Sequence, residues 1–312
     1  MHVDHTLSHE SALHTSWNND HEPALRVESG DVVTFECLPD SGTRITSETE
    51  SADLPETEFV GHHLTGPVAI DGAEPGDVLQ IDLLEIEHGD WGYTLIRPGE
   101  TGKGLLPEAF PDPYIYHWDL GEEVAPFEDG IEVPIDPFPG VVGVAPAADG
   151  EHSTGPPRHV GGNVDVKHLT AGSTVYLPVA VEDALFSIGD GHAAQGDGEV
   201  CVSAIETPTT ITARVTRRSD LAIDAPQFET TGPFTPSGRD EPTYATTGIR
   251  DDLMDATKDA VSAMIGHLVE GRDLTREEAY VLCSVAVDLK INEVVDRPNW
   301  VVSAYLAESL LE

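Results

Sequence analysis

The densest set of side chains that could do chemistry lies in one glycine-rich segment, which reads Ile188-GDGHAAQGDGEVC. Asp190 and His192 are two residues apart, so they share a face if the chain is extended there. Clustered carboxylates repel one another without a cation, and oxygen and imidazole are ligands of divalent ions, so the segment predicts a metal site. The alternative is a glycine-rich turn that carries acids as the rest of the surface does. Three further polar side chains follow without any Lys or Arg: Gln195, Asp197 and Glu199.

A second polar cluster reads Gly161-GNVDVKH and precedes a predicted strand. Asn163, Asp165 and Lys167 alternate, so they face one way if the segment is extended. Pairing of strands in a sheet would bring Asp165 beside Asp190 and His192. The alternative is a surface ion pair of Asp165 with Lys167 and a turn hydrogen bond from Asn163. Other histidines are possible ligands, although isolated histidines are more often packed or solvated: His2, His5, His9, His14, His62 and His63.

Several nucleophilic schemes are absent from the sequence. There is no GxSxG, no HExxH, and no Lys three residues after a Ser, which removes the serine elbow, the zincin helix and the SxxK arrangement. A dinucleotide site is disfavoured because no βαβ pattern and no cation surround the glycine-rich segment. Acidic neighbours make Cys201 a poor thiolate, so we expect Cys37 and Cys201 to be buried small apolar residues.

Extended segments must position these side chains. Val33, Phe35 and Cys37 alternate with polar residues, which predicts a half-buried strand. Residues 78–86 also alternate, but the parity changes after Leu83, which predicts a bulge there. Residues 174–181 are nearly all apolar and predict a strand buried on both faces, with Pro178 at an edge or a bulge.

The pattern changes near the C-terminus. Residues 251–271 place Met254, Val261, Ile265 and Leu268 on one helical stripe. Thr275 and Glu278 form a capping box that opens a second helix, predicted to run to about Val295, and Trp300-VVSAYLA is predicted to be extended. The expected fold is therefore mainly β: a large, multi-stranded, β-sandwich-like body over residues 1–245, and a helical hairpin with a final strand packed on it over residues 246–312.

The charge excludes some partners and suggests an environment. With 57 Asp and Glu against 16 Lys and Arg, the formal net charge is −41, which argues against nucleic acid and anionic membranes as partners. An almost purely acidic surface repels itself at low ionic strength. At about 1 M salt the Debye length falls to roughly 3 Å, so we expect a halophilic host with molar intracellular salt; the alternative is an acidic mesophilic protein.

Other features of the chain predict its location and assembly. Three cysteines at wide spacings favour a reducing cytosol over a disulfide framework, and no leader or membrane-spanning stretch is evident, so we expect a cytoplasmic protein. Apolar residues near the C-terminus, Trp300, Val301 and Leu306, belong either to the core or to a subunit contact in a homo-oligomer.

The motifs resemble those of the acetamidase/formamidase family along nearly the whole chain. The resemblance implies an all-β fold and hydrolysis of short aliphatic amides, such as formamide or acetamide, to a carboxylate and ammonia, with a bound divalent metal. We expect zinc, with calcium as the alternative. The segments that carry the resemblance are His14-TSWNN, Gly30-DVVTFEC, Leu64-TGPVAIDGAEPGDVL, Phe138-PGVVGVAP, Gly161-GNVD, His168-LTAGSTVYLPV, Gly189-DGHAAQGDGEV and Cys283-SVAVDLKINEVVDRPNWVVSA.

A mechanistic hypothesis follows from these residues. A metal held by Asp165, Asp190 and His192 would activate water and polarise the amide carbonyl, while Glu199 takes the water proton and returns it to the leaving nitrogen. Asn163 and loop N–H groups would stabilise the oxyanion, and Glu36 is a reserve acid/base. His62, His63 or Asp197 could complete the site. Two alternatives remain open: a lactam or other C–N hydrolase, and a non-catalytic binding protein in which the metal only stabilises the β-body.

Overall fold

The computed structural model describes residues 1–54, 60–97, 104–230, 243–294 and 298–311, and these are mainly β-strands. Two α-helices near the C-terminus complete the secondary structure together with three short 3-10 turns. The helices are α1 (Leu253–Gly271) and α2 (Arg276–Ala286). In chain order the strands are β1 (His5–Ser8), β2 (Leu13–His14), β3 (Ser16–Trp17), β4 (Leu25–Val27), β5 (Val32–Cys37), β6 (Leu64–Ile70), β7 (Val78–His88), β8 (Trp91–Ile96), β9 (Tyr114–Asp119), β10 (Val124–Pro126), β11 (Glu132–Pro134), β12 (Phe138–Val144), β13 (His152–Ser153), β14 (Gly161–Asn163), β15 (Thr174–Pro178), β16 (Phe186–His192), β17 (Thr209–Arg218), β18 (Gln227–Glu229), β19 (Thr243–Arg250), β20 (Asp288–Glu293) and β21 (Trp300–Ala307).

Two six-stranded sheets share one apolar core. The first has the order β1-β5-β17-β7-β15-β18, and the second has the order β14-β12-β16-β6-β2 with β4 also paired to β6. Phe35 of the first sheet meets Phe186 of the second edge to face, with ring centroids 5.7 Å apart. Buried aliphatic residues from both sheets, such as Leu83 and Val142, fill the same cluster. The mainly β, sandwich-like fold predicted from the sequence is therefore confirmed.

The strand predictions hold in two cases and fail in one. Strand β5 buries Val33, Phe35 and Cys37 as its alternation predicts. The bulge in β7 is confirmed, because β17 pairs with Glu85 and then with Leu83, skipping the residue between them. The prediction for β15 is wrong: only alternate residues of this strand are buried. On its other face, Thr174 and Tyr176 pair with Asp82 and Gln80 of β7, so this face of the sheet is polar and only half-buried here.

The helical hairpin is confirmed with two corrections. The capping box of α2 forms as predicted, with Thr275 Oγ1 accepting from Glu278 N at 3.1 Å and Glu278 Oε2 accepting from Thr275 N at 2.7 Å. Met254 is 55% exposed, because the buried stripe of α1 begins only at Ala256.

Helix α2 ends at Ala286 rather than near Val295, which itself lies outside the described residues. Residues 287–292 alternate between apolar and polar, a pattern that favours a strand, and they form most of β20, which pairs with β21. The extended prediction for residues 300–307 is confirmed by β21, which also pairs with β19.

A second apolar core lies between the C-terminal elements and the chain that follows β16. Residues of α1, α2 and β21 pack there with Ala193, Ala194 and Cys201. Leu306 belongs to this core and is fully buried. All three cysteines are buried and free of disulfides, and their burial raises the pKa of each thiol. Among the described residues, neither helix is long and apolar enough to cross a membrane. The domain boundary at residue 245 stays a prediction.

Candidate active site

The Gly-Asp-Gly-His residues lie inside strand β16 rather than in a loop after it. Asp190 has a left-handed backbone with φ of 58°, although it stands within the strand. The neighbouring strand β12 places Gly140 next to it. A Cβ at Gly140 would lie 2.7 Å from Asp190 Oδ2 and 2.6 Å from His192 Cε1. Both side chains therefore point over the same backbone position, where only glycine leaves room for them.

Asp165 approaches this pair because its segment binds the same glycine. The backbone N–H groups of Val164 and Asp165 both donate to the Gly140 carbonyl, at 3.1 and 3.2 Å. Asp165 also has a left-handed backbone, with φ of 46°. The result is a cluster in which one ligand atom each from Asp165, Asp190 and His192 lie within 4.8 Å of one another. The structure thus brings together the three predicted metal ligands.

Glu199 and Glu206 form a second donor group around the same imidazole. One atom each from His192, Glu199 and Glu206 lie within 4.8 Å of one another, and Glu199 again has a left-handed backbone, with φ of 42°. Glu206 Oε1 accepts from Ser203 Oγ at 3.2 Å and from Ala204 N at 3.0 Å. These bonds aim the other oxygen, Oε2, at His192 Nε2, 3.3 Å away.

Sequence reasoning missed Glu206. The residue lies in Ser203-AIET, without flanking glycines, and the nearest acid, Glu199, is seven residues away. Its position depends on long-range backbone pairing: Tyr93 N donates to Glu206 O at 3.0 Å, and Glu206 N donates to Tyr93 O at 2.8 Å. No local signal in the sequence marks it as a site residue.

The carboxyl groups at this site do not all ionise alike. Burial raises the pKa of Asp165 and of Glu206 to about 7, against the lowering effect of His192. Burial, together with the charge of Asp165, raises the pKa of Glu199 well above its usual value. Burial would also raise the pKa of Asp190, but His62 and His192 hold it at about 2. Without a cation, protons therefore balance part of the negative charge.

For the imidazole of His192, neighbouring charges rather than burial decide the direction of the pKa shift. Burial disfavours its charged form, yet the carboxylates of Glu206 and Asp190 outweigh burial and raise the pKa of His192 well above its usual value. A positive charge is therefore favoured between these carboxylates, whether a proton or a metal ion supplies it.

The donor atoms fit a divalent cation. Within the described part of the chain, several buried atoms have no hydrogen-bond partner, among them Asp165 Oδ1, Asp190 Oδ1 and both ring nitrogens of His192. His192 Nε2 lies 3.6 Å from Asp190 Oδ2, which is too long for a hydrogen bond. Ligands about 2.0–2.2 Å from a tetrahedral zinc are roughly 3.3–3.6 Å apart, so this spacing matches neighbouring ligands of one ion. Asp165, Asp190 and His192 could hold the metal.

His62 lies next to Asp190, one of the three predicted ligands. Its Nε2 lies 3.8 Å from Asp190 Oδ2, and its Nδ1 lies 3.0 Å from Thr154 Oγ1. A hydrogen bond at one ring nitrogen fixes the orientation of the other, as is usual for histidines near a metal. Among the further histidines considered from the sequence, His62 therefore stands next to the predicted ligands.

The other predicted residues belong to neither donor cluster. Asn163 donates through Nδ2 to Gly155 O at 3.2 Å, and its Oδ1 is buried without a hydrogen-bond partner among the described residues. Glu36 is half-buried on β5, opposite Thr210 of β17. His63 Nδ1 lies 2.9 Å from the Asp40 carbonyl. Asp197 Oδ2 lies 3.8 Å from Lys167 Nζ. Three of the N-terminal histidines have polar contacts away from the site: His2, His5 and His14.

Known proteins show the same fold and family. The model of the acetamidase/formamidase family matches residues 2–153 and 147–312. A formamidase from Methylophilus methylotrophus is 26% identical over 97% of this chain and 90% of its own length. An acetamidase from Mycolicibacterium smegmatis is 30% identical over 78% of this chain and 75% of its own length. The solved structure of a gamma lactamase from Delftia acidovorans superimposes with a TM-score of 0.90 at 27% identity, covering 98% of this chain and 93% of that one.

These matches span the strands that carry the donor clusters as well as the C-terminal helices. The protein is an amidohydrolase. More narrowly, the chain belongs to the acetamidase/formamidase family.

Proposed function

We propose that the protein hydrolyses a short linear aliphatic amide, formamide or acetamide, to a carboxylate and ammonia with the help of a divalent cation. The observation that carries the proposal is the group formed by half-buried Asp165 and buried Asp190 and His192, which converge and carry buried donor atoms without hydrogen-bond partners among the described residues. Family membership supplies the reaction class. The imidazole favours zinc over calcium, because calcium prefers oxygen ligands alone.

The metal would be held by Asp165, Asp190 and His192, and when bound it would lower the pKa of a water and polarise the amide carbonyl. Glu199 lies beside His192, and burial raises the pKa of its carboxyl well above the usual value, which makes the carboxylate a stronger proton acceptor. In this mechanism Glu199 accepts the proton of the attacking water and delivers it to the amide nitrogen, which then leaves as ammonia. An uncharged amine leaves far more readily than an amide anion.

Two further groups support this chemistry. Asn163 uses one amide hydrogen on Gly155 O, so its second hydrogen is available to an oxyanion. Glu206 Oε2 and Asp190 Oδ2 both face Nε2 of His192, at 3.3 and 3.6 Å, and Glu206 helps to orient the ring through this fixed oxygen. Glu36 stays a reserve candidate for the acid/base, without support from either donor cluster.

A second candidate is the hydrolysis of a γ-lactam. It rests on one observation, the TM-score of 0.90 to the gamma lactamase of Delftia acidovorans. The same donor set would serve both reactions, because a lactam is a cyclic amide. The size and shape of the substrate decide between the two.

The test measures ammonia released from formamide, acetamide and longer amides, ring opening of a γ-lactam, and metal content by mass spectrometry. We expect one linear amide to be the best substrate, and we expect chelation to remove both metal and activity. Asp190→Asn and His192→Gln should lower kcat by about 100-fold or more. Asp112→Asn, which changes an exposed acid, is the control. Full metal content and activity in both site variants would refute the proposed site.

The acidic surface supports a halophilic protein. With a net charge of −41, the folded chain needs screening to limit its self-repulsion. We expect activity and circular dichroism to be stable in molar KCl and to be lost near 50 mM, where the Debye length is roughly 14 Å. Undiminished activity at the low concentration would remove this part of the proposal.

Assembly and location are proposed from two further features of the chain. Exposed Ile249 and Ile291 on the sheet of β19, β21 and β20 support a contact between subunits of a homo-oligomer. Three unpaired buried cysteines support a reducing, cytoplasmic location. Analytical ultracentrifugation in molar salt tests the first, and a monomer there would overturn it. Fractionation of the source cells tests the second.

A further inference from the structure

Lys167 is one of four lysines in the chain, and only 9% of its side chain is exposed. Its ammonium contacts Asp288 Oδ1 directly, and Nζ lies 3.8 Å from Asp197 Oδ2. A buried ammonium has lost its hydration, so it is stable only with carboxylate partners. The mechanism above gives this residue no task.

One oxygen atom joins the two segments that carry the site carboxyl groups. Asp288 Oδ1 accepts from Lys167 Nζ and also from the backbone N–H of Asp197, at 3.1 Å. Lys167 is two residues from Asp165, and Asp197 is two residues from Glu199. Asp288 therefore connects the Asp165 segment, the Glu199 segment and the start of β20.

The Glu199 segment lies directly on the backbone near Asp288. Gly196 N donates to Ser284 O at 2.8 Å, and Leu289 N donates to Asp197 O at 3.1 Å. A Cβ at Gly196 would lie 2.1 Å from Val287 O, so no larger residue fits at this contact. The end of α2 and the first residues of β20 thus form the support for this segment.

Both segments need such support because of their backbone conformations. Asp165 and Glu199 have left-handed φ angles of 46° and 42°, which cost free energy in residues other than glycine. Surrounding contacts must hold them. Gln195 Nε2 donates to Asp165 O at 3.0 Å and is a second link between the same two segments.

We propose that Lys167 is a positioning residue for amide hydrolysis: by binding Asp288 and Asp197, it holds the Asp165 segment against the Glu199 segment without touching the substrate. The inference rests on the proposed function, because the reaction gives the positions of Asp165 and Glu199 their importance. It adds a part of the C-terminal strand β20 to the machinery of the site.

The first experiment compares Lys167→Met with Lys167→Gln. The methionine fills the volume but cannot bind Asp288, whereas the glutamine keeps a donor for Asp288 Oδ1 and loses the charge. We expect Lys167→Met to lower kcat by about 10- to 100-fold with KM within about threefold, as for a misplacement of catalytic groups. Lys167→Gln should retain more of kcat. Arg26→Gln is the matched control, since it removes the cation of an exposed ion pair with Asp71 and Asp183.

The second experiment adds Asp288→Asn to Lys167→Met. Loss of the ammonium leaves the carboxylates of Asp288 and Asp197 close together without a cation, and the asparagine removes one of these charges while still accepting from Asp197 N. We therefore expect the double variant to regain part of kcat relative to Lys167→Met. All rates are divided by the folded fraction from tryptophan fluorescence. If Lys167→Met does not fold, Lys167→Gln and Asp288→Asn alone carry the comparison.

A purely structural ion pair would lower the melting temperature and leave kcat per folded molecule unchanged, and that result would overturn the proposal. A change in KM alone would also overturn it. A crystal structure of Lys167→Met, or of Lys167→Gln, gives a readout that is independent of turnover. We expect Asp165 and Glu199 to move apart in it, and unchanged positions would overturn the positioning role. Absence of amide hydrolysis in the unaltered protein would instead overturn the proposed function.

Discussion

Gly140→Ala adds a single methyl group at the point where the two site strands meet. The new Cβ would lie 2.6 Å from His192 Cε1, 2.7 Å from Asp190 Oδ2 and 2.9 Å from His192 Nε2. Ordinary contacts of a methyl carbon begin at about 3.4 Å, so the two side chains must retreat by roughly 0.5–0.8 Å or β12 must shift. Bond lengths to a metal tolerate only about 0.2 Å, and displaced catalytic groups lose rate steeply.

We therefore expect Gly140→Ala to lower kcat/KM by about 100-fold and to weaken zinc binding by roughly 10- to 100-fold. The free energy of unfolding should fall by about 1–3 kcal/mol, as for other overpacked cores. The assays are ammonia release, competition with a chromogenic chelator, and urea unfolding in molar salt.

Gly266→Ala is the control for this experiment. Gly266 lies in α1, and apart from its chain neighbours and the backbone of its own helix, no atom of the described residues lies within 4 Å of the position that a Cβ would take there. An alanine should therefore add about 0.5–1 kcal/mol of stability and leave activity unchanged. Normal turnover and normal zinc affinity in Gly140→Ala would refute the placement of Asp190 and His192 over Gly140, and with it the proposed site.

Three further outcomes are expected. Glu206→Gln keeps the bonds to Oε1 but removes the charge facing His192, so zinc affinity measured by calorimetry should fall roughly 10- to 100-fold; unchanged affinity would separate Glu206 from the metal. Thr275→Ala removes the cap of α2 and should lower the free energy of unfolding by about 1 kcal/mol in urea, whereas Thr275→Ser should lose less. Burial lowers the pKa of His14 to about 4 from 6.5, so the unfolded chain binds a proton in a range where the folded chain does not. Stability should therefore decrease as the pH falls from 6.5 to 4, by up to about 3 kcal/mol from this group, and His14→Gln should flatten that part of the unfolding profile.

Local patterns in the sequence predicted those features that depend on neighbours in the chain. Alternation in β5, the bulge in β7 and the capping box of α2 are each decided within a few residues, and the structure confirms them. The end of α2 is not decided locally, because residues after Ala286 fit both a helical and an alternating pattern, and pairing with β21 selects the strand. Met254 fits the helical spacing of the buried stripe, but no other element packs over it in the first turn of α1, so its side chain is exposed.

The site, too, has features that local spacing predicts and features that only long-range contacts determine. Asp190 and His192 share a face because they are two residues apart, which the sequence shows directly. The approach of Asp165 depends on two hydrogen bonds to Gly140, and the place of Glu206 depends on pairing with Tyr93. The sequence predicts that Asp165 lies beside Asp190 and His192, but it does not reveal the bonds to Gly140 that hold Asp165 there, nor the place of Glu206, because these contacts join residues far apart in the chain.

The left-handed backbones at Asp165, Asp190 and Glu199 lower the stability of the fold at the residues on which the proposed activity depends. Each such residue costs of the order of 1 kcal/mol or more, and the clustered carboxyl groups add mutual repulsion. Asparagine tolerates this backbone and carries no charge. In metal-free protein, Asp165→Asn should therefore melt at a higher temperature than the unaltered chain while being inactive, and a lower melting temperature in calorimetry would contradict this. Substitutions chosen for heat resistance alone would therefore remove this site, because the proposed chemistry needs residues that lower the stability of the folded chain.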